Sequence, residues 1–307
     1  MMFQLLPLER HLFLGILILS VISSVLGYVQ IVKGDVKFRR LLVAFASLQI
    51  TLGAVLLILR AVALKAFPVT GVFESMLILM VFIGITFLFL SVFMQQVWFL
   101  SVMVWVLFII ALLAALVAKP ASVLQAEAKT PWVVVHAMSM SLAGAMIIFA
   151  AAMSVLFLWS RMRLKNKQFL KLFGKMPTIE KLESLNLLGL RLGFVALTFG
   201  LISGIGLVAV SSFDLGMTIG DWLTDSKIVM IGLAWVLLLG VLLLRRILGF
   251  GGKVVAQATL VVCFMILFAF VGSKILCKSD HDFGSQSEST HSHIEHFNAD
   301  YTCWHKS

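Results

Sequence analysis

Eight stretches of the chain carry no Asp, Glu, Lys or Arg and are apolar over a length that suits a membrane crossing. They are Leu12–Val32, Leu41–Leu59, Met76–Met94, Val97–Val117, Trp132–Trp159, Leu192–Phe213, Ile228–Leu244 and Val254–Gly272. A spanning helix needs roughly 17–25 mostly apolar residues. A transmembrane β-barrel would instead alternate apolar and polar residues in segments of about ten. These runs are apolar on every face, so the expected fold class is an all-α polytopic membrane protein with about eight transmembrane helices. Composition agrees. Of the 307 residues, 61% are hydrophobic and 12% charged, against about 25% charged in a soluble domain. A soluble domain, a disordered chain and a disulfide scaffold are thereby excluded. The first run is too long for a signal-peptide core and is followed by basic residues, so it is read as a retained helix. Residues 1–276 form the expected eight-helix transmembrane domain, and 277–307 a polar, His-containing external tail.

The net charge of +10 would point to nucleic acid in a soluble protein. Here it reads as topology, and no nucleic-acid partner is expected. Lysine and arginine accumulate in cytoplasmic loops. They crowd the loop after run 1 (Lys33, Lys37, Arg39, Arg40), the loop after run 5 (Arg161 to Arg191) and the loop after run 7 (Arg245, Arg246, Lys253). The opposite face has fewer, and several of those lie in the tail. Both termini are therefore expected outside. Arg60–Ser75, Ala118–Pro131 and Asp214–Lys227 are then external loops, while Ser160–Arg191 reads as a basic amphipathic segment on the inner surface.

Few residues offer chemistry. The cysteines, Cys263, Cys277 and Cys303, form no CxxC or CxxCH, so there is no dithiol motif and no covalent haem attachment site. Cys263 reads as packing; Cys277 and Cys303 share the tail and are either free or paired. His136, in Trp132-Val-Val-Val-His136, stands about 6 Å into run 5 at 1.5 Å per residue. An ionisable side chain in a span is a functional candidate, and the plainer alternative is an interfacial histidine bonded to a neighbour. His291, His293 and His296 make a His-rich tract that either binds metal or is simply solvated. Trp222, Asp225, Lys227 and Trp235 cluster around the start of run 7, where an aromatic belt would also place tryptophan. Glu74 suits the N-terminal end of a helix dipole, and Gly200 and Gly204 suit close helix packing. Charge counting puts His136, the Trp222–Lys227 loop and His281 on one face. Two imidazoles and an aromatic loop there are chemically suited to a flat iron macrocycle.

Four stretches together resemble the cytochrome c assembly family of haem-handling membrane proteins, which includes CcsA (ResC) and the related HemX-like proteins. Phe67-Pro-Val-Thr-Gly-Val-Phe-Glu74-Ser-Met is similar to the family's FPxxNxYES stretch. Pro131-Trp-Val-Val-Val-His136 is similar to its WLxxHV stretch. Asp221-Trp222-Leu-Thr-Asp225-Ser-Lys227, then Trp235, resembles the end of the tryptophan-rich WWD signature. Gly272 to Gly284, with His281, resembles GVNxLGKGLHSYG. The resemblance is strongest over 67–284.

It implies haem b as cofactor, with His136 and His281 as axial ligands to the iron and Trp222, Asp225 and Trp235 around the macrocycle. It implies an apocytochrome c and a CcsB/ResB-like membrane protein as partners, in the inner (cytoplasmic) membrane and in contact with the lipid bilayer. Any enzymatic role would be as part of a haem-attachment complex, with no catalytic residue of its own. Two departures stand out. The WWD signature is eroded, with Ser226 where the family has proline. Leu243 also occupies the position of the family's membrane-embedded histidine. The alternative implied is a HemX-like accessory protein of haem biosynthesis. An unrelated solute transporter would be expected to carry ionisable residues near mid-membrane.

Overall fold

The chain folds as an array of helices in a computed structural model, which describes residues 6–33, 38–65, 67–69, 71–94, 96–116, 131–165, 177–215, 226–249 and 251–269. The described elements are α1 (Pro7–Lys33), α2 (Arg39–Leu64), α3 (Val72–Phe93), α4 (Val97–Leu116), α5 (Pro131–Lys165), α6 (Ile179–Leu215), α7 (Ser226–Leu248) and α8 (Gly252–Leu267). Seven of these helices are long and apolar enough to cross a bilayer, and α8 is a shorter apolar helix over its described 16 residues. The protein is a multi-pass membrane protein. The boundaries follow local rules. Pro131 opens α5, a position where the missing N–H costs nothing. Lys65 closes α2 in the left-handed conformation (φ 50°), its N–H donating to the Val62 carbonyl at 3.3 Å, as helix C-termini often do.

Helix α5 is the wall between two cores. On one side Met146, Phe149, Met153 and Leu156 of α5 join Phe13, Ile16, Leu42, Leu56, Phe73, Phe87 and Leu107 of the first four helices. On the other side Met140, Ile147 and Ala150 meet Leu190 and Leu197 of α6, Leu238 of α7, and Val262 and Ile266 of α8. The closest packing is between α5 and α6, and it is set by small residues. Gly189, Gly193, Gly200 and Gly204 recur at helical spacing on the α6 face turned to α5. At Gly189 an added Cβ would stand 3.0 Å from the Met146 carbonyl oxygen, so here backbone meets backbone. Without a hydrophobic driving force between helices in lipid, such close approach supplies the packing attraction.

The helices outrun the charge-free runs, which corrects three sequence expectations. Arg60 and Ser75 lie inside α2 and α3, so the connection between these helices is confined to 65–71. Helix α5 continues through Arg161 and Arg163 to Lys165, and α6 already begins at Ile179, so both ends of the basic segment are helix ends, while 166–176 lie outside the described residues. Helix α6 likewise takes in Asp214, and α7 takes in Lys227. Glu74 is a further correction, since its main partner is not the helix dipole. Its Oε1 accepts from Arg60 Nε at 2.8 Å and from Arg60 Nη2. Arg60 Nη1 also reaches Glu9 Oε2 at 3.4 Å, and that oxygen accepts the Leu6 N–H at 3.2 Å. Glu74 is fully buried, Glu9 1% exposed and Arg60 5%. A buried ionic triad thus ties together the ends of α1, α2 and α3. Each charge sits just outside a charge-free run, so a scan for such runs passes over all three.

Candidate functional site

The end of α5 that starts at Pro131 holds the one ionisable site residue within the described part of the chain. His136 is half-buried, in the second turn of the helix. Its Nδ1 lies 2.8 Å from the carbonyl oxygen of Gly200 on α6. A carbonyl oxygen only accepts, so this bond requires the proton on Nδ1 and leaves the lone pair on Nε2. The ring is seated on a gap in α6. A Cβ added to Gly204 would lie 3.0 Å from His136 Cε1 and 3.1 Å from Nδ1. One turn closer to the start of α5, Trp132 covers Gly206 in the same way, at 3.0 Å from its added Cβ. One turn further along, Met140 Sδ covers Gly200 at 2.9 Å. The small-residue face of α6 therefore receives Trp132, His136 and Met140 in succession. The Gly200–Gly204 pair was legible as a packing motif, whereas its pairing with His136 rests on a contact 64 residues apart in sequence.

Trp235 occupies a different place. It stands in α7, its ring stacked on Phe194 of α6 with centroids 5.6 Å apart and planes at 25°. Its Nε1–H donates to Thr198 Oγ1 at 2.9 Å, and Thr198 in turn donates to the Phe194 carbonyl at 2.8 Å. Two α6 positions separate Thr198 from the Gly200 carbonyl held by His136, so Trp235 and His136 are fixed by the same turn of one helix. The indole N–H is engaged inside the bundle. Leu243 points away from the core with 46% of its surface exposed.

His281, Trp222 and Asp225 lie outside the described residues, as do Cys277, Cys303 and the histidines of the tail. Cys263 is buried in the core between α5 and α8, in keeping with a packing role.

The cytochrome c assembly protein model matches residues 69–281, more than two thirds of the 307-residue chain. The chain belongs to the cytochrome c assembly protein family. The match begins at Val69, within the connection that leads into α3, and ends at His281, so it overlaps all four motif stretches. Comparison with curated proteins gives no significant match. Family membership assigns a role in cytochrome c biogenesis to this multi-pass membrane protein. The described side chains suit a haem group. An imidazole with a hydrogen-bonded Nδ1–H and an open Nε2 is the form in which histidine binds haem iron.

Proposed function

We propose that this member of the cytochrome c assembly family holds haem b at the outer face of the inner (cytoplasmic) membrane and presents it to apocytochrome c. His136 and His281 are the axial ligands in this reading. Trp222 and Asp225 flank the macrocycle, and Trp235 supports the site through α6. The observation that carries the proposal is the 2.8 Å contact of His136 Nδ1 with the Gly200 carbonyl, which orients Nε2 as a ligand. The haem supplies an electrophilic vinyl-bearing macrocycle and a redox-active iron. The protein's own part is to hold and orient it while limiting its side reactions. The cysteine thiols that accept the haem belong to the apocytochrome, since this chain has no CxxCH. A CcsB/ResB-like membrane protein completes the assembly.

The test is the absorption spectrum of the detergent-purified protein, oxidised and reduced, with a pyridine haemochrome assay. Sharp reduced α and β bands at close to one haem per chain are the expected result, and His136→Ala combined with His281→Ala abolishes them. A folded double variant with full haem occupancy overturns the ligand assignment.

A second reading has its own observation. Leu243 is apolar and outward-facing, so the position of the family's membrane-embedded histidine offers no ligand. That favours a HemX-like accessory protein of haem biosynthesis, which binds haem weakly or not at all. A haem-free protein after expression with added haem precursor would select this reading.

A further inference from the structure

The carbonyl of Gly200 is unusually crowded with donors. His136 Nδ1 approaches it at 2.8 Å, and the hydroxyl of Ser203 donates to it at 2.9 Å. As an interior carbonyl of α6 it is also the acceptor for the backbone N–H four residues on, that of Gly204. A carbonyl oxygen offers two lone pairs. Three donors therefore divide one acceptor, and each bond is weaker than it would be alone. Ser203 is 2% exposed, so its hydroxyl has no ready exchange with bulk water.

We propose that Ser203 is a positioning residue that sets the ligand strength of the His136 imidazole by sharing its acceptor. This rests on the reading of His136 as a haem ligand through Nε2. The more firmly Nδ1–H is held, the more electron density the ring carries to Nε2 and the more basic a ligand it becomes. A more basic axial ligand favours ferric over ferrous iron and lowers the reduction potential, one of the levers by which a protein tunes haem. By drawing on the same carbonyl, Ser203 holds that effect back. The serine–carbonyl bond by itself is ordinary in this protein: Ser154 donates to the Ala150 carbonyl at 2.9 Å and Ser20 to the Leu17 carbonyl at 2.8 Å. The convergence with an imidazole on one oxygen is what distinguishes Ser203.

The experiment is Ser203→Ala in the full chain, reconstituted with haem b and followed by potentiometric titration of the α band. The midpoint is expected to move to a more negative potential. Ser203→Thr, which keeps the hydroxyl, restores the wild-type value. Ser154→Ala, remote from the ring, leaves it unchanged. A second readout needs no haem. In apo-protein carrying 15N-labelled histidine, the His136 Nδ1 proton, assigned by its loss in His136→Gln, moves downfield in Ser203→Ala as its hydrogen bond shortens. An unchanged midpoint together with an unchanged proton shift in folded Ser203→Ala overturns the proposal. Failure of the wild-type chain to take up haem would instead overturn the ligand reading, while the apo-protein proton shift would still decide the role of Ser203.

Discussion

Two ion pairs in this protein differ in what they hold together, and the difference is set by burial. Arg60 lies between Glu74 and Glu9 with all three side chains nearly inaccessible, whereas Arg245 meets Glu183 at 2.5 Å with both side chains partly exposed. Removing one partner from a buried pair leaves an uncompensated charge and typically costs about 3–5 kcal/mol. Exposed pairs contribute roughly 0–1 kcal/mol. Arg60→Met is therefore expected to lower the thermal unfolding midpoint in detergent sharply. Glu183→Gln should shift it little. Equal effects from both substitutions would mean that Arg60 is solvated in the membrane and that the triad is not a structural tie. Glu74 also shows where sequence reading stops. Its position in the first turn of α3 was visible, but the guanidinium that claims it comes from another helix.

At the level of the helix, the packing of α5 on α6 decides where His136 can go. The ring lies so close to Gly204 that even a Cβ there would press on it, at 3.0 Å from Cε1, and a branched side chain would press harder. Gly204→Val is expected to displace the imidazole from the Gly200 carbonyl. In the haem-binding reading the purified variant loses most of its α-band absorbance while staying folded by circular dichroism. Gly189→Val tests the same seam away from the ring. Its new methyl groups would press on the Met146 carbonyl and on Ala150. Overpacking of this kind costs about 1–3 kcal/mol. The expected result is a lower unfolding midpoint with haem content per folded molecule unchanged. The existence of each helix was legible because an uncharged apolar run of sufficient length has few other ways to satisfy its backbone in lipid. The ends were not, because a helix carries charged residues past the apolar zone whenever a neighbour pairs with them. Glu9, Arg60 and Glu183 all extend helices in this manner.

Across the whole molecule, the distribution of basic residues makes a claim about orientation that labelling can check. In a cysteine-free background, Asp35→Cys between α1 and α2 is expected to react with an impermeant maleimide in inverted vesicles only. Thr290→Cys in the tail is expected to react in right-side-out vesicles only. The reverse pattern would put His136 on the inner face and remove the basis for presenting haem to an external apocytochrome. The family was legible from four short stretches, and the match over 69–281 bears that out. The geometry of the candidate site was legible only in its residue types. Which carbonyl holds the imidazole, and which serine shares it, depends on how α5 and α6 settle against each other, bringing together residues 64 apart in sequence.

The position of α5 between two cores has a consequence for how the protein is made. As the chain leaves the ribosome, the first four helices emerge with their mutual interfaces already available among themselves. The last three have no wall to settle on until α5 is in place. A polypeptide halted after Leu116 would leave bare the apolar face that α5 covers, and one lacking α5 would lose most of the packing that joins the first four helices to the last three. The helix that carries the candidate iron ligand is thus also the one that joins the halves, and its imidazole is seated only once α6 has followed it.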